Sequence, residues 1–570
     1  MAAGGRTWRT GWPLPALTGL GLGLLVLGPG LAPGFVLSYD MVFVPDPGFT
    51  PWTFGVTGTV PRHVPSDAFA AALATVLPGD VAQKVVLLAV FVMACMAAAS
   101  LVPSPRILPR LAAGVCYAWN PFVAERLLLG QWALLLGYAA LPWVAAAAAD
   151  ADARGGGRRL VRALLPAAIG GFAALTVSGI TALAVAAARR RGAGVLRVVL
   201  ALAVLSLPWL VPGLLRAGGV PGDGGAVEAF AARADTPFGT LGSLLLLGGV
   251  WNGETVPAAY GNAVTSGVWL AVVLVALFAY GRWCANTDAP WQRGLAGAAA
   301  VGFAVAALGA VAAPVLEGLI GLWSGFAVFR DGQQYAAPLA VVVAVGLGVA
   351  ADRAAQARLG AVTAGAVLAP VVLLPSLAWG AAGQLRAVDY PDDWARARDI
   401  VHADEQPGVV LLLPWAAYRS PQWNHGRRVL DPLPRYLHRR VIANDAVTVD
   451  GTTVAAEDPR AVRLDPLIRS GAALTEALRR EGVRYVAVDD PANAGSQARR
   501  LAGAKVVLRG RDLVLYRIDG AADVRDERVP TAAVAGAWIV TGIAIVWSWL
   551  GSAITLGTPL LGRNPRRRVD

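Results

Sequence analysis

The chain has 570 residues, 56% of them hydrophobic and 15% charged, with a formal net charge of +12 at pH 7. Soluble domains carry about 25% charged residues, so the roughly three or four soluble domains that length alone suggests give way to a polytopic membrane protein. The positive charge does not mark a nucleic-acid binder: basic residues punctuate apolar runs, as in RRLVR 158–162, RRR 189–191 and RRR 566–568, the pattern that orients membrane helices.

A bilayer crossing takes about 20 apolar residues. The first runs from Trp12 to about Ser38, after Arg6 and Arg9. It is too long for a signal-peptide core and no A-x-A site closes it. The sequence therefore predicts an uncleaved helix with a cytoplasmic N-terminus, and Asp40 emerging on the outer face. Next comes the loop VFVPDPGFTPWTFG 42–55, whose prolines and aromatics predict a folded segment, with a surface-lying helix over DAFAAALATVL 67–77. Further spans are predicted at 81–102, 107–122 and 131–149. Residues 161–188 are basic at both ends, which predicts two short helices broken near TVSG 176–179. Such breaks survive at membrane depth only when buried in protein or lining a cavity. Spans at 194–215, 262–281, 293–313, 335–351, 359–380 and 531–555 complete the set, which makes about twelve membrane segments. Both termini are then cytoplasmic.

Composition changes at 381–530, which holds most acidic residues and all but one histidine. DWARARDIVHAD 393–404 reads as an amphipathic helix and GVVLLLPW 408–415 as a buried strand. LTEALRREG 474–482 then VRYVAVDD 483–490 reads as helix then strand, with Gly482 as the helix stop. AKVVLRGRDLVLYRID 504–519 reads as a hairpin. The fold class is thus mainly α: a polytopic transmembrane helical bundle over 1–380, a small extracytoplasmic α/β domain over 381–530, and a C-terminal helix with a basic cytoplasmic tail over 531–570. No Walker loop or G-x-G-x-x-G supports nucleotide binding. Cys95, Cys116 and Cys284 form no C-x-x-C pair, and the histidines lack metal spacing, so no metal site is assigned.

The polar groups of interest gather in the outer segments. Asp40 and Asp46 flank the first loop. In YAWNPFVAERLLLGQW 117–132, Asn120-Pro121 ends a helix, and Glu125-Arg126 follows near the outer interface. Ionisable groups there are costly and face cavities or partners; the ordinary reading is a Glu–Arg staple, the functional one an acceptor contact (Glu125) and an anion contact (Arg126). In WSGFAVFRDGQQYAAPL 323–339, Arg330 beside Asp331 is either a snorkelling arginine or a guanidinium gripping phosphate oxygens. GGVWNGETVPAAYGN 248–262 adds Glu254 and Trp251, the latter an interfacial belt residue or a pocket wall. Carboxylates, arginines and aromatics at one membrane face suit sugar transfer from a lipid phosphate. The acceptor hydroxyl needs a base, and the departing phosphate needs cations.

The order NPF…ER…GQW…LGYA…LPW, a broken central helix, FRDGQQY and an outer α/β domain resembles the C-type (GT-C) membrane glycosyltransferases. Within them it is most similar to actinobacterial arabinofuranosyltransferases that use decaprenylphosphoryl arabinose. The resemblance implies a first-loop aspartate as catalytic base, which Asp40 matches with Asp46 as second candidate. It also implies that Arg330, with Arg126, meets the donor phosphate, and that Glu125, Glu254, Asp331 and Trp251 shape the acceptor pocket. The partners implied are a polyprenyl-phosphate sugar, with arabinofuranose or mannose both open, a glycan or glycolipid acceptor of cell-wall biosynthesis, and membrane lipid. Transfer would invert the anomeric centre. The relatives carry a lysine near the first-loop aspartate and further carbohydrate-binding modules after the core; no lysine stands there in this sequence. No cofactor is required, although carboxylates could hold Mg or Mn beside phosphate. Two rival functions fit a multi-span chain: a lipid or polysaccharide transporter, and a non-catalytic scaffold for envelope assembly. Ion-coupled transport predicts charges at span centres, and this sequence has few.

Overall fold

The computed structural model describes residues 13–216, 226–287, 290–449, 451–490, 494–524 and 528–553. Arg6, Arg9 and the basic stretch 566–568 lie outside the described residues. Among those described, nine helices are long and apolar enough to cross a membrane; the pair Gly360–Leu373 and Pro375–Gly383, bent by 60°, makes up to ten. The expected twelve segments differ from this in two places. Ile107–Ala118 has 12 residues and Gly156–Ile169 has 14. At about 1.5 Å per residue each is shorter than the roughly 30 Å hydrocarbon core.

The hairpin expected in 161–188 is present, but its break lies at Gly170-Gly171 rather than at 176–179. Gly171 takes φ +74°, which glycine alone adopts without cost, and a Cβ there would meet the Val64 carbonyl oxygen at 2.9 Å. Ser178 and Gly179 instead sit inside the continuous helix Gly171–Ala188. The first span is also shorter than expected. It runs Pro13–Leu27, then a 3-10 turn Gly28–Leu31 in which Gly28 takes φ +42°.

The bundle has a graded interior. The span Gly332–Gln356 is 94% buried, whereas Thr531–Leu550 is 22% buried and turns its apolar side chains outward. Small residues permit the central position: a Cβ on Gly346 would come within 2.1 Å of the Ala276 carbonyl oxygen.

At one end of the bundle the first loop and the sheet-containing region interlock. β1 (Phe35–Val36) pairs antiparallel with β2 (Ala387–Val388). Thr57 bridges Arg528, and Arg435 pairs with Asp67 of the helix Ser66–Ala74 at 2.8 Å. The strands that follow are β3 (Val409–Leu413), β4 (Tyr418–Arg419), β5 (Val429–Leu430), β6 (Val441–Ile442), β7 (Val447–Val449), β8 (Thr452–Val454), β9 (Val483–Val488), β10 (Lys505–Arg509) and β11 (Val514–Arg517). β4 pairs with β5 and β7 with β8; the main sheet has order β10-β11-β9-β3-β6, with β9 and β6 parallel to β3. Period-2 alternation gives the sheet two buried faces. Val410 and Leu412 face the bundle side with Trp394 and Val401 of the helix Asp392–Ala403. Val409, Leu411 and Leu413 face the helices Pro459–Arg469 and Thr475–Arg480. The expected helix 393–404, strand 408–415, helix–strand 474–490 and hairpin 504–519 are all present. Gly482 takes φ +72° where the helix stops.

Candidate functional site

Asp40 sits on a tight turn held from two sides. Its backbone N–H donates to the Leu129 carbonyl at 3.0 Å, and the Ser38 hydroxyl donates to that of Leu128 at 2.7 Å. On the other side the Tyr39 N–H donates to Arg428 O at 2.8 Å, and the Leu430 N–H donates to Tyr39 O at 2.9 Å. Gly130 explains the close approach. It takes φ +75°, and a Cβ there would lie 2.1 Å from Met41 N and 2.2 Å from Ser38 O. The glycine of GQW is thus the residue that lets the Asp40 turn seat. Tyr39 itself takes φ +44°, a conformation most side chains avoid.

The Asp40 carboxyl is only partly exposed. Its Oδ1 accepts from the Tyr418 hydroxyl at 2.5 Å. Burial pushes the carboxyl above the ordinary carboxylate range; the Tyr418 hydroxyl and the guanidinium groups of Arg435 and Arg62 draw it back, while Asp331 pushes it up again. Tyr418, beside Asp40, is raised well above the usual phenol value by burial first and then by the Asp40 charge, so the phenol stays protonated and donates. Tyr418 is fixed by its neighbour: Arg419 is buried between Asp431, at 2.5 Å, and Asp489. The Tyr39 and Tyr418 rings lie 6.1 Å apart.

Around this carboxyl lie cations from distant parts of the chain. Arg62 pairs with Glu457, its Nε donating at 2.9 Å. The charges of Arg62, Arg330 and Arg216 all pull the Glu457 carboxyl down, and outweigh the effect of its burial. The Asp40 carboxyl feels the charges of Arg435 and Arg62, and Glu457 feels those of Arg62 and Arg330. The Arg330 guanidinium stands 5.9 Å from the centre of the Phe230 ring, which meets Trp251 edge-to-face at 5.0 Å.

The sequence-derived residues divide into groups. Asp331 and Arg126 meet as a two-point ion pair at 2.9 and 3.3 Å, and Arg126 also donates to Gln131 Oε1 at 2.7 Å. The staple is therefore Arg126–Asp331, tying the helix Pro121–Leu128 to the FRDGQQY segment, and not a Glu125–Arg126 pair. Arg126 is fully buried, and Asp331 retains 23% exposure. Glu125 is also fully buried. It accepts from the Gln333 amide at 2.9 Å and is raised well above the carboxylate range by burial first and then by neighbouring Asp235. Glu254 is exposed, accepts from the Tyr39 hydroxyl, and lies 3.8 Å from Arg428. Asp46 is exposed, 3.8 Å from Arg398, and its carbonyl oxygen lies 2.7 Å from His438 Nε2. Tyr418, Arg62, Arg435, Arg216 and Glu457 escaped sequence reasoning; no motif or spacing marks them, and only the packing of 387–458 over the first loop brings them in. Among the described residues, no three His, Cys, Asp or Glu side chains gather as a metal site. A carboxyl already bound by the Tyr418 phenol and facing the charges of Arg435 and Arg62 is a poor donor for a divalent cation.

No protein-family model matches the sequence, and no curated protein does either. Solved structures do match in fold. The arabinofuranosyltransferase AftD from Mycobacteria superposes with a TM-score of 0.56 at 16% identity, over 92% of this chain and 40% of that one. A mutant of AftD gives 0.54 at 16% identity, over 92% and 42%. An oligosaccharyltransferase from Archaeoglobus fulgidus aligns over 85% of this chain and 69% of its own at 12% identity, with a TM-score of 0.40, too low to build on. The chain thus spans well under half of the AftD structure it matches. Bundle, first loop and sheet-containing region together share the fold of that arabinofuranosyltransferase structure.

Proposed function

We infer that this chain transfers one sugar, arabinofuranose or mannose, from a polyprenyl-phosphate donor to an extracytoplasmic glycan or glycolipid. The observation that carries this reading is the Asp40 carboxyl, held by Tyr418 within electrostatic reach of the Arg435 and Arg62 guanidinium groups at one end of an apolar bundle. A lipid-linked donor keeps its tail in the bilayer, so its phosphate must be met at such an end. The AftD fold likeness supports the class of chemistry.

In the proposed step Asp40 accepts the proton of the acceptor hydroxyl. The oxygen bonds to the anomeric carbon while the carbon–oxygen bond to phosphate breaks. The electron pair leaves with the polyprenyl phosphate, and Arg330, with Arg62 and Arg216, offsets the growing negative charge. Asp40 serves as the single base; direct displacement with one base inverts the anomeric centre. Arg126, neutralised by Asp331, holds the FRDGQQY segment that presents Arg330. Trp251 and Glu254 wall the acceptor side. Residues 381–530 orient the acceptor.

The test is incubation of vesicles containing the chain with a panel of radiolabelled polyprenyl-phosphate sugars and a glycan acceptor. Label transferred to glycan from one donor supports the reading. Lipid crossing the bilayer with no glycan product would replace it with the transporter.

A further inference from the structure

We propose that the sheet-containing region carries a saccharide-binding subsite at the carboxyl ends of β3 and β9, which holds a sugar of the acceptor glycan away from the reacting hydroxyl. The proposal deepens the glycosyl-transfer reading and rests on it for the identity of the ligand.

Topology picks out the place. β3 has a parallel neighbour on each side, β6 and β9. The chain leaving β3 passes through the helix Leu433–Tyr436, which packs on the bundle side of the sheet. The chain leaving β9 passes to the opposite face, where Leu501 packs with Leu464, Ile468 and Leu478. Adjacent parallel strands whose exits go to opposite faces leave a crevice beyond their carboxyl ends, the place where open α/β sheets bind ligands. A cavity of about 200 Å³ lies there, against Leu413 and Val488 at the two strand ends.

The lining selects the ligand class. Trp415 supplies an aromatic wall, immobilised by its indole N–H donating to Asp465 Oδ1 at 2.9 Å. Asp490 and Gln497 supply hydrogen-bonding groups. Two arginines also line the cavity, each with its Nε, and in Arg500 both terminal nitrogens, donating to the protein. Arg469 is held by Asp465 at 2.7 and 2.8 Å, and Arg500 donates to the carbonyls of Ile468 at 2.6 Å and Ala472 at 3.2 Å. Phosphate recognition wants guanidinium groups free to fork onto oxygens, and the turn after β3, PWAAYRS 414–420, has no glycine-rich loop. A neutral, hydroxyl-rich ring with one apolar face fits this lining. The volume equals the liquid share of roughly seven waters, room for one sugar ring.

The cavity connects to the reacting centre through the chain itself. Trp415 stands three residues before Tyr418, the hydroxyl that binds Asp40. Their Cα atoms are at most about 11 Å apart. A glycan a few rings long would reach from one to the other.

The test uses the full chain in nanodiscs with Asp40→Asn, which blocks transfer, and saturation-transfer NMR with an arabinofuranose hexasaccharide and a mannose hexasaccharide. One of them is expected to bind, and Trp415→Leu and Gln497→Ala each to weaken it about tenfold or more. In the Asp40 protein, Trp415→Leu is expected to raise KM for that hexasaccharide with kcat unchanged, and to leave a monosaccharide glycoside acceptor unaffected. Failure of both hexasaccharides to bind, or binding that neither variant alters, overturns the subsite. Should Trp415→Leu fail to fold, Gln497→Ala decides. Trp415-dependent binding in a protein that transfers no sugar from any polyprenyl phosphate would keep the subsite and overturn the catalytic reading.

Discussion

Adding one methyl group at Gly130 should disable the proposed base without touching it. Gly130 has φ +75°, and a Cβ there would sit 2.1 Å from Met41 N and 2.2 Å from Ser38 O, against 3.4 Å for an ordinary contact. The Asp40 turn must therefore withdraw by on the order of 1 Å, and a 1 Å misplacement of a catalytic group costs about 100-fold in rate. Withdrawal also pulls on the Asp40 N–H bond to Leu129 and the carboxyl's bond to Tyr418, the two contacts that aim it. The positive φ adds about 1–2 kcal/mol of strain with any side chain, on top of the displacement of the Met41 and Ser38 backbone. Initial rates of label transfer in proteoliposomes, with thermal unfolding measured on the same preparation, would show kcat down about 100-fold, donor KM nearly constant and the fold retained. Folded Gly130→Ala protein with a rate within about threefold of the parent would refute the claim that this turn aims the base.

Tyr418→Phe removes the hydroxyl that draws the Asp40 carboxyl down, so its pKa should rise further; a base works only when deprotonated, so the acid limb of the kcat–pH profile moves to higher pH. Arg126→Met strands Asp331 beside an apolar wall and should cost about 3–5 kcal/mol of stability, much of it regained by Arg126→Met with Asp331→Leu, read from unfolding midpoints. The His63 ring, buried and stacked on Trp52 at 3.4 Å, has its pKa pushed down to about 4 by that burial, against an ordinary value of 6.5. The folded state thus favours the neutral ring: its contribution is complete above pH 6.5 and is lost as pH falls from there toward 4, about 3 kcal/mol in all. His63→Phe should flatten that part of the stability–pH curve.

What the sequence could show follows from the range of the forces involved. Apolar runs declare helices locally, so the long spans fall where hydropathy places them. The Gly170-Gly171 break was misplaced at 176–179 because its cause is a backbone conformation facing Val64 in another segment, which no local window contains. Asp40, Arg126, Asp331 and Arg330 were legible as charges at apolar borders. The pairing of Arg126 with Asp331 was not, since it joins residues 205 positions apart. Tyr418 binds Asp40 from 378 residues away, and Arg62 meets Glu457 across 395. Such partners have no local signature: they are brought in by β1–β2 pairing and by the packing of the sheet region on the first loop.

The most direct measurement is sugar transfer by Asp40→Asn protein, whose side chain still accepts the Tyr418 hydrogen bond but cannot take up a proton. With folding verified and labelled donor shown to bind as in the parent, the account predicts transfer reduced at least about 100-fold. Asp40→Asn protein that moves sugar at the parent rate would contradict it.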